Sequence, residues 1–307
     1  MSEFWLLADV GASNTRIGLA RAGVVQQGSV RIARNAEHDG FTALVLAYLS
    51  DIGAGPPEAI CAGVAGPVRG DAAQLTNRDW HIDARALGAA TGAARVRLIN
   101  DLQAQAHALD DLPPGALRRL IPGRPDPAGA RLALGLGTGC NIAVAHRVKG
   151  RLFVPPSEAG HTRLPLLDLP AGLVAALGWH GAHLPVEAAL CGEGLLRIAR
   201  WCGSDAGRSA EVIGCADGGP EAAALRHYLR ILGTVAGDMA LAHLPRGGIY
   251  LIGGLARALA PFIATPDFAR AFTDKGPYRA ILEDIPLSLI TDDAAALYGC
   301  ARVLSNG

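Results

Sequence analysis

The chain has 307 residues, 50% of them apolar and 18% charged, so it can bury one large core or two medium ones, and two domains are the better expectation. Its 28 basic and 28 acidic residues cancel, which leaves no electrostatic footprint for a nucleic-acid backbone or an anionic membrane. Its lysines are Lys149 and Lys275, and neither stands in the glycine-rich pattern of a P-loop.

In chain order, Phe4 to Ala8, Thr15 to Ala20 and Val24 to Ile32 are apolar runs separated by turn formers, which predicts three consecutive antiparallel strands. A helical pattern at about 40–50, a strand Ala59 to Ala65, a helix near 84–90, a strand Val96 to Ile99 and a helix Leu102 to Leu109 follow. Residues 110–132 concentrate prolines and charges as a connecting segment does, so a first α/β domain is expected over 1–110. The run LALGLGTGCNIAVAHRVKG (132–150) then repeats the pattern of LLADVGASNTRIGLARAG (6–23): strand, small-residue turn, strand, glycine. Such a duplication implies a second, related α/β domain over 111–291. Helices at about 166–178, 192–203 and 220–243 and strands Ile249 to Ile252 and Pro286 to Ile290 fill it, and a last helix within 292–307 is expected to pack back on the first domain.

Six cysteines (Cys61, Cys140, Cys191, Cys202, Cys215, Cys300) lack C-x-x-C spacing and read as reduced, mostly buried thiols. His180 and His183 have no carboxylate or thiol nearby, so no zinc site is expected there. The opening residues lack the basic start of a secretory signal, and no apolar run approaches the ~20 residues of a membrane helix. A cytoplasmic protein with no membrane partner is the expectation.

Several residues could carry chemistry, each with a plainer alternative. Gly135, Gly137 and Gly139 miss the dinucleotide spacing by one residue and precede a strand where a helix would be needed, so they are either a tight turn or one of two glycine-rich turns gripping a phosphate chain. Asp9, at the end of the first strand, could hold Mg²⁺ or cap its own turn. Asn100 and Asp101 stand where a strand passes into a helix, at the sheet edge where ligands gather, but a helix N-cap explains them equally well. Glu158 and His161 lie in PPSEAGH, a loop stiffened by Pro155 and Pro156; Glu187 alone is indistinguishable from a solvated helix residue. Gly253 and Gly254 suit either a close backbone approach or an ordinary turn.

Together these segments resemble the bacterial glucokinase family. LADVGASNTRIGLA and GLGTGCNIAVA are similar to its two phosphate motifs, VAGPVRGDAAQLTNRDW to its sugar-side segment ending at Thr76, Asn77 and Trp80, LINDLQAQA to the stretch with its catalytic aspartate, and SEAGH to its sugar loop. VEAALCGEGL, GGIYLIGGL and AFTDKGPYRAILEDIPLSLI follow in the family's order, so the likeness runs from about residue 5 to 304. The resemblance implies two actin-like (ribonuclease-H-like) α/β domains flanking a cleft and ATP-dependent phosphorylation of glucose at its 6-hydroxyl. It puts Asn100, Asp101, Glu158, His161 and Glu187 on the sugar, with Asp101 as general base. Asp9, Gly11, Ser13, Asn14, Thr138, Gly139, Gly253 and Gly254 fall on the nucleotide side, with Asp9 toward Mg²⁺. A kinase for a related hexose or amino sugar is the alternative. A non-catalytic sugar-responsive binder is disfavoured, because the retained Asp101 argues for catalysis and the first strand at Phe4 leaves no room for an N-terminal DNA-binding helix pair. A homodimer is compatible with the sequence. The chain departs from the family pattern at Ala12, Cys140, Asn141 and Ala159; at Asn141 a side chain replaces glycine, which asks whether a positive φ is needed there.

Overall fold

Continuous apolar runs, buried nearly throughout in β1 and β4, build the first sheet. Strands β1 (Trp5–Val10) and β2 (Asn14–Arg21) form an antiparallel hairpin, β3 (Val24–Arg34) pairs antiparallel to β2, and β4 (Ala59–Val64) lies parallel to β1. Between β3 and β4 runs helix α1 (Phe41–Asp51), which buries Phe41, Leu44, Val45 and Tyr48 at helical spacing. After β4 come three short strands, β5 (Val68–Arg69), β6 (Ala72–Gln74) and β7 (His81–Asp83), then α2 (Ala84–Thr91), β8 (Arg95–Asn100) and α3 (Asp101–His107). The main sheet has the order β3-β2-β1-β4-β8, and β5-β6-β7 form a separate small sheet. That small sheet is absent from the sequence reading, because strands of two or three residues carry too little alternation to register. It holds the segment that ends at buried Trp80, whose ring lies 5.5 Å from the Arg78 guanidinium. Asn77 lies outside the described residues.

The structure, a computed structural model, describes residues 4–76, 78–165, 169–178, 183–215 and 217–306. By contacts the chain forms two units, one of Met1–Pro114, Val148–Pro156 and Asp292–Gly307, the other of Gly115–Arg147 and Ser157–Thr291.

In the first unit the C-terminal helix (Ala295–Asn306) covers one face of the sheet. Its Ala296, Leu297, Cys300, Ala301 and Leu304 form a buried cluster with Leu7, Ala20, Ala59, Cys61 and Ala104. It approaches α3 so closely that a Cβ on Gly299 would collide with the Ala104 carbonyl.

The second unit repeats the plan. Segment 110–132, read from sequence as a plain connection, carries a strand, β9 (Leu117–Ile121). Strands β10 (Arg131–Leu136) and β11 (Cys140–Val148) form an antiparallel hairpin, and the short β12 (Arg151–Phe153) that follows falls in the first unit's segment Val148–Pro156. Then come α4 (Ala171–Ala176), α5 (Val186–Ala189), α6 (Gly192–Trp201), α7 (Ser209–Gly214), α8 (Gly219–His243), β13 (Gly248–Ile252), α9 (Gly254–Leu259), α10 (Pro266–Thr273), α11 (Arg279–Asp284) and β14 (Leu287–Ile290). The strands β11-β10-β13-β14-β9 stand side by side, with β13 parallel to β10 and β9 antiparallel at the edge beside β14. Thus β13 stands to the second hairpin as β4 stands to the first. The core packs Leu132, Leu134, Ile249 and Leu251 with Tyr228, Leu229 and Leu232 of α8. The predicted helix 166–178 is shorter in the structure, and 166–168 lie outside the described residues. Among the described residues no helix is long and apolar enough to cross a membrane.

Candidate active site

The nucleotide-side candidates of the first unit sit on the β1–β2 turn, which a buried residue from beyond β3 holds. The Gly11 N–H donates to the Asn14 carbonyl at 3.0 Å, closing the turn. Asn35, fully buried, donates its side-chain amide to the Gly11 carbonyl at 2.8 Å and its backbone N–H to the Ser13 carbonyl at 2.9 Å, and its Oδ1 accepts from the Thr15 hydroxyl at 2.8 Å. Ser13 and Asn14 are exposed. Asn35 escapes sequence reasoning: an Asn after a strand reads as a turn former, and its partners lie 20 and more residues upstream.

Asp9 is on β1 with 13% of its side chain exposed, and its Oδ2 is 3.4 Å from Arg16 Nη1. Burial pushes its carboxyl up to about 6, against the opposing pull of Arg16 and with a small push from Asp293. A carboxylate whose charge is left undercompensated by its surroundings suits a hard divalent cation, which prefers oxygen donors. Asp9 therefore fits the Mg²⁺ role. Among the described residues no cluster of three or more metal-binding side chains occurs.

At the β8–α3 junction the side chains of Asn100 and Asp101 both meet the start of the helix. Asn100 is the N-cap: its side chain accepts from the Leu102 N–H at 3.0 Å, while Gln103 Oε1 accepts from the Asn100 N–H at 3.1 Å, a reciprocal capping box. Asp101 is the first helical residue, partly buried, with Oδ1 accepting from the same Leu102 N–H at 2.8 Å.

In the second unit the β10–β11 turn is closed by Gly137 N–H donating to the Gly139 carbonyl at 2.9 Å, with Thr138 exposed at its tip. Two bonds fasten it to the helices beyond: Gly192 N–H donates to the Gly137 carbonyl at 3.0 Å, and Cys140 N–H donates to Glu187 Oε2 at 2.8 Å. Glu187 is thus a half-buried group tied to the β10–β11 turn, not a solvated helix residue. Burial pushes the Cys140 thiol far above its usual range, which keeps it protonated near neutral pH.

Asn141 is a strand residue paired with Gly135. Positive φ among the described non-glycine residues occurs at Ala22, Lys149 and Leu244, so the question of a positive φ at Asn141 is answered in the negative. Its side chain instead reaches the loop carrying Glu158 and His161. Nδ2 donates to the Ser157 carbonyl at 2.9 Å and to Glu158 Oε2 at 3.2 Å, and Oδ1 accepts from the N–H groups of Ile142 at 2.8 Å and Gly160 at 3.2 Å. The loop ends in a 3-10 turn, Ala159–His161, then runs beside the segment before α5: Leu164 N–H to the Leu184 carbonyl at 2.8 Å, Val186 N–H to the Thr162 carbonyl at 2.9 Å. This brings Glu158, His161 and Glu187 to one region of the unit. His183 Nε2 lies 2.7 Å from the His161 carbonyl; His180 lies outside the described residues.

Gly253 and Gly254 stand where β13 meets α9. Gly253 has φ +104°, and a Cβ there would strike the Leu136 carbonyl, so this position demands glycine on both counts. Gly254 is exposed, with open space around its Cα.

The glucokinase family model matches residues 6–307. A glucokinase of Chromohalobacter salexigens is 32% identical over 98% of this chain and 97% of its own length. Among solved structures, a glucokinase from an Antarctic psychrotroph superposes with TM-score 0.87 at 26% identity, covering all of both chains. A ROK-family glucokinase from Streptomyces griseus, solved with glucose and AMPPNP, gives 0.68 at 20% identity, covering 99% of this chain and all of that one, a likeness of fold. The fold is the actin-like, ribonuclease-H-like one of these sugar kinases. The family model spans both hairpins, the capped Asp101 junction and the Glu158 loop in a single match, and the chain belongs to the glucokinase family.

Proposed function

We propose that this chain transfers the γ-phosphoryl group of ATP to the 6-hydroxyl of glucose, with Asp101 as general base. Beyond family membership, the observation that carries this reading is the capping box at α3. Asn100 and Gln103 form the cap, and Asp101 Oδ1 only shares the Leu102 N–H that Asn100 already takes, so the helix start keeps its cap without a carboxylate at position 101, and catalysis supplies the reason for one.

In this reading Asn100, Glu158, His161 and Glu187 hold the sugar hydroxyls, since carboxylates, an amide and an imidazole can each serve groups that both donate and accept. Asp101 takes the proton of the 6-hydroxyl as its oxygen bonds to the γ-phosphorus, and the bond to the bridging oxygen breaks with its electron pair leaving on ADP. The turns at Gly11, Ser13 and Asn14 and at Thr138 and Gly139, with the Gly253–Gly254 step, hold the nucleotide. Asp9 would hold Mg²⁺, whose contribution is to neutralise charge on the phosphates. The AMPPNP and glucose of the Streptomyces griseus relative support the choice of donor and sugar. All six cysteines are free, which suits a reducing compartment such as the cytoplasm.

The test is ADP production by the purified protein across a hexose panel. Glucose should give the highest kcat/KM, with fructose and galactose lower by ~10² or more, because a site built to pair each hydroxyl leaves its own polar groups unpaired when one is misplaced. Equal kcat/KM for galactose would overturn glucose specificity, and no turnover of any hexose would overturn the kinase reading.

A further inference from the structure

Asn141 reaches from β11 into the loop that carries Glu158, and every hydrogen-bonding position of its amide is used. The two N–H bonds of Nδ2 go to the Ser157 carbonyl and the Glu158 carboxylate, and Oδ1 accepts from the Ile142 and Gly160 backbone. The loop backbone also seats directly on the strand, since a Cβ on Gly160 would run into the Cys140 carbonyl. Glu158 itself is exposed and long, with three side-chain torsions to fix. Left to solvent, such a carboxylate samples many rotamers, and ordering it on binding costs affinity. The preceding residue, Cys140, donates its N–H to Glu187. Two successive residues of β11, directly after the Gly137–Gly139 turn, therefore hold two of the carboxylates proposed to meet the sugar, Glu187 and Glu158.

We propose that Asn141 is a positioning residue for sugar recognition: it pre-orients Glu158 and fixes the 157–160 loop, and it acts on sugar affinity rather than on the nucleotide. This rests on the reading of Glu158 as a sugar ligand. A side chain that merely filled space beside the phosphate turn would act on ATP instead.

The decisive substitution is Asn141→Asp. It keeps shape and the bonds accepted from Ile142 and Gly160, but it removes both donors and sets a second carboxylate against Glu158. Glucose binding, followed by calorimetry without nucleotide, should weaken about 10- to 100-fold, with the KM for ATP within about threefold. Asn141→Ala should weaken glucose about 5- to 20-fold and speed amide hydrogen exchange over 157–161. In a Glu158→Gln background the effect of Asn141→Asp should shrink below about threefold, since Gln can donate to the new carboxylate; this non-additivity marks the pair. Glucose affinity within twofold of wild type in Asn141→Asp, or a rise confined to the ATP KM, would overturn the proposal. Unchanged exchange over 157–161 in Asn141→Ala would overturn it as well. If the wild-type protein binds no hexose, the functional reading fails on its own account, and faster exchange in Asn141→Ala would then uphold the loop bracket while its role toward sugar falls with that reading.

Discussion

Asn100 and Asp101 are adjacent and chemically similar, and both side chains accept from the Leu102 N–H. Asn100 has the backbone geometry and hydrogen bonds of the cap, and Asp101 follows it as the first residue of α3. Asp101→Asn should therefore leave the helix intact. It should lower kcat by ~10² to 10⁴, because the amide can accept a hydrogen bond from the sugar but cannot take its proton. Glucose affinity should fall by no more than the ~1.5–3 kcal/mol of one charge-assisted bond. Measuring kcat and glucose affinity on one preparation separates the two, and an unchanged kcat removes Asp101 from the mechanism. Which residues would be missed follows the same logic. Asp101 could be picked out because strand, junction and helix are contiguous in sequence. Asn35, Arg16 and the Asn141 bracket depend on partners 7 to 24 residues away, and no local pattern encodes which carbonyl or carboxylate such an amide or guanidinium will meet.

Helix α3 carries Asp101 at its start and His107 near its end, and the C-terminal helix packs against it. Burial, assisted by the nearby Arg302 charge, pushes His107 down to about 4, and its Nδ1 is buried without a hydrogen-bond partner. Arg302 is itself held by Asp111, so it cannot easily swing away from a second positive charge. The unfolded chain binds this proton near pH 6.5 and the folded chain only near 4. Between those values the unfolded state holds more protons, and stability falls as pH drops through the window, by about 1–3 kcal/mol in total. Urea unfolding at pH 7.5, 6 and 5 should show that loss in wild type and a smaller one in His107→Gln; identical losses would acquit His107. At this scale the sequence was legible where elements are long. The two hairpins announce themselves by apolar runs joined by small-residue turns, and α8 by its apolar spacing. Strand β9 was hidden because its apolar residues are interrupted by Arg118 and Arg119 and flanked by prolines, which an edge strand tolerates and a central strand does not.

The chain crosses between the two units more than once, and residues 292–306, which follow the second unit's β14, complete the first unit. Its sheet face depends on Leu297 and Leu304, 0% and 3% exposed, and on the alanines and Cys300 around them. Each buried leucine contributes about 1.5–3 kcal/mol, and losing the whole helix also uncovers Leu7, Ala20 and Cys61, which together approaches the ~5–15 kcal/mol stability of an ordinary domain. The core of the second unit draws on none of these residues, since its members run from Leu132 to Leu289. A chain ending at Thr291 should therefore lose the first unit while the second keeps its fold. Brief trypsin treatment should cut rapidly at Arg16, Arg21, Arg31, Arg69 and Arg97, and mass spectrometry should find surviving fragments that begin at Leu98, since residues 98–117 offer no tryptic site before the second unit's β9. The hairpin strand β2 should be cut no faster than in the full-length protein if the helix is dispensable, and that result would show the sheet to be stable without its cover. Rapid loss of fragments from 157–291 as well would show that the two units fold as one cooperative body, and that the division by contacts does not describe how the protein comes apart.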